Sequence, residues 1–292
     1  MRLTGTESYQ NLLRSIESIR ERMQQDQTEI ATGNKINQAS DDPSGAADIV
    51  RLTGAKSEIA QYASNAAVGQ DRLNYTDTVL SSVQDMVRRV ITVGQTAFGN
   101  TSQASAYTTE INGLRDQLVS SANTNFQGLS IFGGSVTNKS PYVVQVDGSV
   151  TYQGNSAATQ LQVGRASTLQ IGIAGNQVFS GSINVFSTIK QLSDAITSAD
   201  KSAIQTQLTN LQQYYDSVSA VRTQVGALVN QAQNVKSDLQ AYELARAGDQ
   251  SRIQTADLAQ VSTDFTQTET SLQAAMAVGA KISQVSLLDY IR

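Results

Sequence analysis

Asp41 and Asp42 stand side by side, a carboxylate pair that could perform general acid/base chemistry or hold a Ca2+ ion. Pro43 follows them directly and points to a plainer role. Proline suits the first position of a helix, where its missing N–H would have no partner anyway, and an aspartate before it can accept the free amides of the first turn. Capping therefore explains the pair. Gly133-Gly134-Ser135 could open a phosphate loop, but no Gly-Lys-Ser/Thr follows and no buried strand precedes it, so it reads as a turn. The 292 residues include no His, Cys or Trp. That excludes a Ser-His-Asp triad, a thiolate nucleophile, a His-coordinated metal and a disulfide scaffold. No catalytic residue, metal site or cofactor is expected.

The remaining composition speaks of packing rather than chemistry. Hydrophobic residues make up 39% of the chain and aromatics 5%, with 21 basic against 25 acidic residues. The basic residues are scattered, Arg88-Arg89 being an isolated doublet, so no stripe awaits a phosphate backbone and nucleic acid is not an expected partner. The longest apolar runs, such as Ala274 to Ala280, fall well short of the roughly 20 residues that cross a bilayer. A membrane is not an expected partner either. Residues 1–16 lack the apolar core of a cleavable signal peptide.

Apolar residues recur every three or four positions through Leu12, Ile16, Ile19, Met23 and Ile30, interrupted only by Asp26, which predicts a helix with a narrow seam. Gly33 and Asn34 suit its C-terminal cap, and Asp41-Asp42-Pro43 announces the next helix. A second seam runs Leu73, Thr76, Leu80, Val83, Val87 and Val90, and Tyr107, Ile111, Leu114 and Leu118 continue the same logic. Between Gly133 and Gly181, where eight of the 20 glycines lie, the period changes to two. Tyr142, Val144 and Val146, then Asp147-Gly148, then Val150 and Tyr152, predict a hairpin with a type I′ turn. Leu161 and Val163, then Leu169, Ile171 and Ile173, predict further strands. Asp147 is the sole carboxylate of this segment, which leaves paired acid/base chemistry nothing to work with.

Helical spacing returns with Ile189, Leu192 and Ile196, then Ile204, Leu208, Leu211, Tyr215 and Val218. The row continues through Val221, Val225, Leu228, Ala232, Val235, Leu239 and Tyr242 as a coiled-coil-like seam. A last seam holds Leu258, Val261, Phe265, Thr268, Leu272 and Ala275, then Ile282, Val285 and Leu288. The fold class expected is mainly α with a small β insert (α+β), a long antiparallel bundle or coiled coil built from both chain ends. Its parts are an N-terminal assembly helix and loop (1–45), a helical rod (46–132 and 185–249), a β-rich outer domain (133–184) and a C-terminal assembly helix (250–292). Leu73, Leu80, Val83 and Val87 are expected to pair inside the rod with Val221, Val225, Leu228, Val235 and Leu239. The terminal seams of Leu12, Ile16, Ile19, Met23, Ile30, Leu258, Val261, Phe265, Leu272, Ile282 and Leu288 are expected to await neighbouring copies, their helices ordering when those copies cover them.

Particular residues then carry a resemblance. Ile30-Ala31-Thr32-Gly33-Asn34-Lys35-Ile36-Asn37, followed by Ser40-Asp41-Asp42-Pro43, resembles the N-terminal signature of the bacterial flagellin superfamily. Ala122-Asn123-Thr124-Asn125-Phe126-Gln127-Gly128, Ile131-Phe132-Gly133-Gly134, Tyr152-Gln153-Gly154-Asn155 and the C-terminal Leu272 to Ile291 are also similar to it, so the resemblance covers essentially the whole chain. The Ser-Asp-Asp-Pro form is closer to members that join hook to filament than to filament flagellin, which usually has Asp-Asp-Ala-Ala-Gly there. Asn125-Phe126-Gln127-Gly128 and Gly45 are nearer the flagellin form, and a minor or short flagellin is the alternative. The resemblance implies a non-enzymatic structural subunit in a homo-oligomeric ring, with terminal helices inside and the β module projecting outward. It further implies another hook-associated protein on the hook side, flagellin on the filament side and an export chaperone. An extracellular, flagellar location follows, reached by type III export without a cleaved signal.

Overall fold

The computed structural model describes residues 2–291, with side chains described at 7, 9–100 and 102–281. The chain is mainly helical, and it forms two compact units. One holds the chain up to Glu58 and again from Glu243; the other holds Ile59–Tyr242. In chain order the elements are α1 (Arg2–Thr32), α2 (Pro43–Gly99), a short 3-10 turn (Thr101–Gln103) and α3 (Ala104–Ala122). Six short strands follow as β1 (Asn125–Phe126), β2 (Leu129–Ser130), β3 (Tyr142–Val144), β4 (Val150–Tyr152), β5 (Gln160–Gln162) and β6 (Thr168–Gln170). Then come α4 (Gly175–Phe179), α5 (Val185–Thr197), α6 (Lys201–Gln254) and α7 (Leu258–Ile291).

The core of the Ile59–Tyr242 unit is built from seams that the sequence spells out. Leu73, Leu80, Val83, Val87 and Val90 of α2 are wholly buried and share one apolar cluster with Ile111 of α3, Ile189 of α5 and Val218 and Val225 of α6. Each such side chain contributes about 1.5–3 kcal/mol by leaving water. Apolar contact alone would let two long helices slide, and polar groups fix the register. The Arg222 guanidinium donates to both Asp77 carboxylate oxygens, at 2.8 and 3.0 Å, and to Gln84 Oε1 at 2.8 Å. Gln84 Nε2 in turn donates to Ser219 Oγ at 2.8 Å. Two residues depart from the expected row. Tyr214, not Tyr215, is the fully buried tyrosine of α6, and Tyr242 is 63% exposed. Either tyrosine satisfies a three- or four-residue step between the buried Leu211 and Val218, so spacing alone does not choose between them, and the buried row ends at Leu239.

The β segment is three separate antiparallel hairpins, β1–β2, β3–β4 and β5–β6. The β3–β4 turn differs from the two-residue type expected. Val144 pairs with Val150, Gln145 N and O bond Ser149 and Gly148, and Gly148 takes the left-handed backbone while Asp147 does not. Val146 is therefore a turn residue in full solvent rather than a strand residue. A left-handed glycine closing a longer loop gives the strands their twist without requiring a positive φ at aspartate. The inner face of this hairpin is aromatic. Tyr142 lies 5.1 Å from Tyr152 and 5.3 Å from both Phe179 and Phe186, tying β3–β4 to α4 and α5. Val163, Leu169 and Ile171 of the third hairpin are buried against Ala66 of α2 and Ala232 of α6.

Burial ranks the valines and leucines of this unit. Leu80→Ala should lower the unfolding free energy by about 3 kcal/mol, whereas Val146→Ala should change it by less than about 0.5 kcal/mol, both read from urea titration of the purified chain.

Candidate assembly region

In the unit formed by the two ends, two helix breaks lie side by side. Helix α1 stops where Gly33 adopts φ +71° and its N–H reaches back to Glu29 O at 2.8 Å. The loop that follows is held by the two aspartates, each in its own way. Asp41 Oδ2 accepts the N–H groups of Asn37 and Gln38, both at 2.9 Å, closing the loop on itself. Asp42 Oδ1 accepts Ser44 N and Gly45 N, both at 3.0 Å, and so caps α2, with Pro43 as its first residue. A Cβ at Gly45 would come within 2.5 Å of Asp42 Oδ2 and of Cδ1 of Ile36, the buried residue of the loop, so those side chains would have to shift. The second break repeats the device. Asp257 Oδ1 accepts Ala259 N at 3.0 Å and Gln260 N at 3.3 Å at the start of α7.

The breaks are stitched together. Lys35 N donates to Gln254 O at 2.8 Å and Ala256 N donates to Gly33 O at 3.0 Å, an antiparallel bridge centred on Asn34 and Thr255. Beyond it α1 and α7 pack against each other. Leu12, Ile16, Ile19, Met23 and Phe265 are half-buried, and Val261 and Leu272 are buried. Even the interruption in the α1 row has a counterpart, since Asp26 Oδ2 faces Thr268 Oγ1 of α7 at 3.4 Å, a hydroxyl that also bonds Asp264 O at 2.7 Å. The antiparallel α1–α7 pair thus covers these seams in part within one chain, burying Val261 and Leu272 and leaving the others half-accessible. Ile30 and Leu258 are exposed, at 39% and 49%. Ile282 and Leu288 lie outside the described side chains. The rod residues fall in the other unit. There Leu73, Leu80, Val83, Val87 and Val225 are fully buried, Leu239 is buried, and Val221, Leu228 and Val235 are half-buried.

Beside Ile30 and Leu258, this unit leaves further apolar side chains exposed. Tyr9 and Leu13 of α1 and Met276 and Val278 of α7 keep 41–51% of their surface, and Val50 and Leu244 keep 73% and 76%. The seam pattern conceals them. A signal was present in the run Ala274 to Ala280, because seven consecutive apolar residues span nearly two turns and cannot all face one neighbour. Among the described residues no group of three acidic side chains is placed to hold a metal ion, and no helix is long and apolar enough to cross a membrane.

Both ends of the chain match one family. Residues 6–137 match the bacterial flagellin N-terminal helical region and residues 208–291 the bacterial flagellin C-terminal helical region. The chain belongs to the bacterial flagellin superfamily. Among flagellin-superfamily relatives, it is similar to flagellar hook-associated protein 3 of Salmonella typhimurium, 30% identical over 157 residues. That match takes in 52% of this chain and 48% of the relative, about half its length. It is 24% identical to flagellar hook-associated protein 3 of Escherichia coli, over 98% of each chain. Flagellin of Bacillus subtilis is also 24% identical, over 97% of each. A solved structure of flagellar hook-associated protein 3 from Legionella pneumophila shares the fold, with a TM-score of 0.63 at 14% identity over 70% of this chain and 98% of that one.

Two tests address the breaks. Asp42→Ala should cost the unit about 1 kcal/mol through its lost cap, measured by helix melting. The N–H groups of Asn37 and then Gln38 hold the Asp41 carboxyl below its usual range. A depressed folded pKa gives stability that is present above the unfolded value, near 4, and is lost as pH falls through the folded value. The amide NMR shifts of Asn37 and Gln38 should therefore titrate together with a midpoint below about 4, and Asp41→Asn should abolish that titration.

Proposed function

We propose that this chain is a structural subunit of the bacterial flagellum, placed at the junction of hook and filament and needed for filament assembly. The observation that carries the reading is the end-to-end match with E. coli flagellar hook-associated protein 3, combined with the antiparallel α1–α7 pair that brings both termini into one unit. Exposed Tyr9, Leu13, Met276 and Val278 supply apolar surface on that pair for adjoining copies, which fits a homo-oligomeric ring. Its neighbours would be another hook-associated protein on the hook side and flagellin on the filament side, with an export chaperone before assembly. The location would be extracellular, reached without a cleaved signal. Such a role calls for packing and needs no catalysis.

A short or minor flagellin is the second reading, favoured by the equal identity to B. subtilis flagellin and by Asn125-Phe126-Gln127-Gly128. Deletion of the coding sequence separates the two. Under the junction reading, mutant cells carry hooks without filaments and shed flagellin monomer into the medium. Full-length filaments on the mutant, or long filaments grown from the purified chain alone, would favour the flagellin reading instead.

A further inference from the structure

A second stripe on α2 faces the β segment rather than α6. Asn65 Nδ2 donates to Gln162 O at 2.8 Å, Gly69 lies so close to Ile171 that a Cβ would meet its Cγ2 at 2.6 Å, and the Tyr75 ring meets that of Phe126 at a tilt of 41°, centroids 5.7 Å apart. Between them is Arg72. It is 4% exposed, no carboxylate is within ion-pair distance among the described residues, and its Nη2 donates to Ser130 O at 2.9 Å. A guanidinium cannot shed its charge to suit a buried site, and burial without a counter-charge is unfavourable. A methionine or leucine would fill the same volume without that cost. What an apolar side chain cannot supply is a directed donor.

The acceptor is the first carbonyl of a hub. In residues 130–134 the backbone carbonyls gather bonds from several parts of the β segment. Phe132 O accepts Gly175 N at 2.8 Å and Tyr152 Oη at 2.9 Å. Gly133 O accepts Val136 N and Asn155 N, both at 3.3 Å, and Gly134 O accepts Thr159 Oγ1 at 2.9 Å. Moving this strip therefore moves all that hangs on it. We infer that Arg72 is a positioning residue: a buried pin that fixes the 130–134 hub, and with it the β segment, in one seating on helix α2. This inference is independent of the proposed function, because it concerns the Ile59–Tyr242 unit alone.

The test is Arg72→Met in the full chain, read by thermal melting and by residue-resolved amide hydrogen exchange. With a pin, the melting midpoint is no lower than that of the parent chain. Exchange at Val136, Asn155 and Gly175 rises at least about tenfold, while amides around Leu80 and Leu118 keep their rates. If those three amides exchange as before, or if the whole unit speeds up alike, Arg72 is only a core filler and the inference fails. Should Arg72→Met not fold, Arg72→Lys carries the same comparison. It keeps the charge and a donor but ends short of the Nη2 position, so a local rise of about threefold is expected and a uniform or absent rise overturns the inference.

Discussion

A helix with an apolar stripe along one side cannot cover that stripe itself, and a stripe of many turns needs a partner of similar length. This single constraint organises the molecule. Helix α2 is 57 residues long and α6 is 54, and the chain turns back between them so that each meets the other antiparallel. The same solution recurs at the ends, where α1 and α7 answer each other. Everything short, from α3 to α5 and the three hairpins, sits in the stretch of sequence that reverses the chain.

Hydrophobic seams give cohesion but little positional choice, and polar groups supply the choice at three places. Arg222, Asp77, Gln84 and Ser219 hold α2 and α6 in register. The Gly33 and Ala256 backbone bonds hold the two breaks level. Arg72 addresses the carbonyl strip on which the hairpins depend. Each places a directional bond where apolar packing alone would tolerate sliding.

Much of this was legible in the residues, and the limits of legibility have physical causes. The α2 seam from Leu73 to Val90 keeps a regular three- or four-residue step with Thr76 as its one polar member, and Asp42-Pro43 is a local device whose meaning needs no tertiary context. The row on α6 took Tyr215 for Tyr214, because both fit a three- or four-residue step between Leu211 and Val218, and it ran one step too far, to Tyr242. The terminal seams were recognised as seams, but periodicity tells which face is apolar and not which helix will cover it. The stripe from Asn65 to Tyr75 was invisible for another reason. It uses an amide, a glycine and an arginine, none of which contributes to an apolar period, and a single tyrosine sets no period by itself. The hairpin turn at Val146 followed alternation one residue too far, because alternation cannot distinguish the last strand residue from the first turn residue.

The stitched breaks and the β3–β4 tip differ sharply in how they would receive extra sequence. An added residue between Gly33 and Ile36 would carry Lys35 away from Gln254, and only a matching lengthening on the other crossing could bring the strands of that bridge back into step. At Val146 and Asp147 the peptide has no such obligation, since the side chain of Val146 is wholly in solvent and the flanking strands are closed below it by Val144 and Val150. Peptide grafts, epitope tags or fluorescent labels accordingly belong at this tip, and the crossings are the part of the chain where length is fixed.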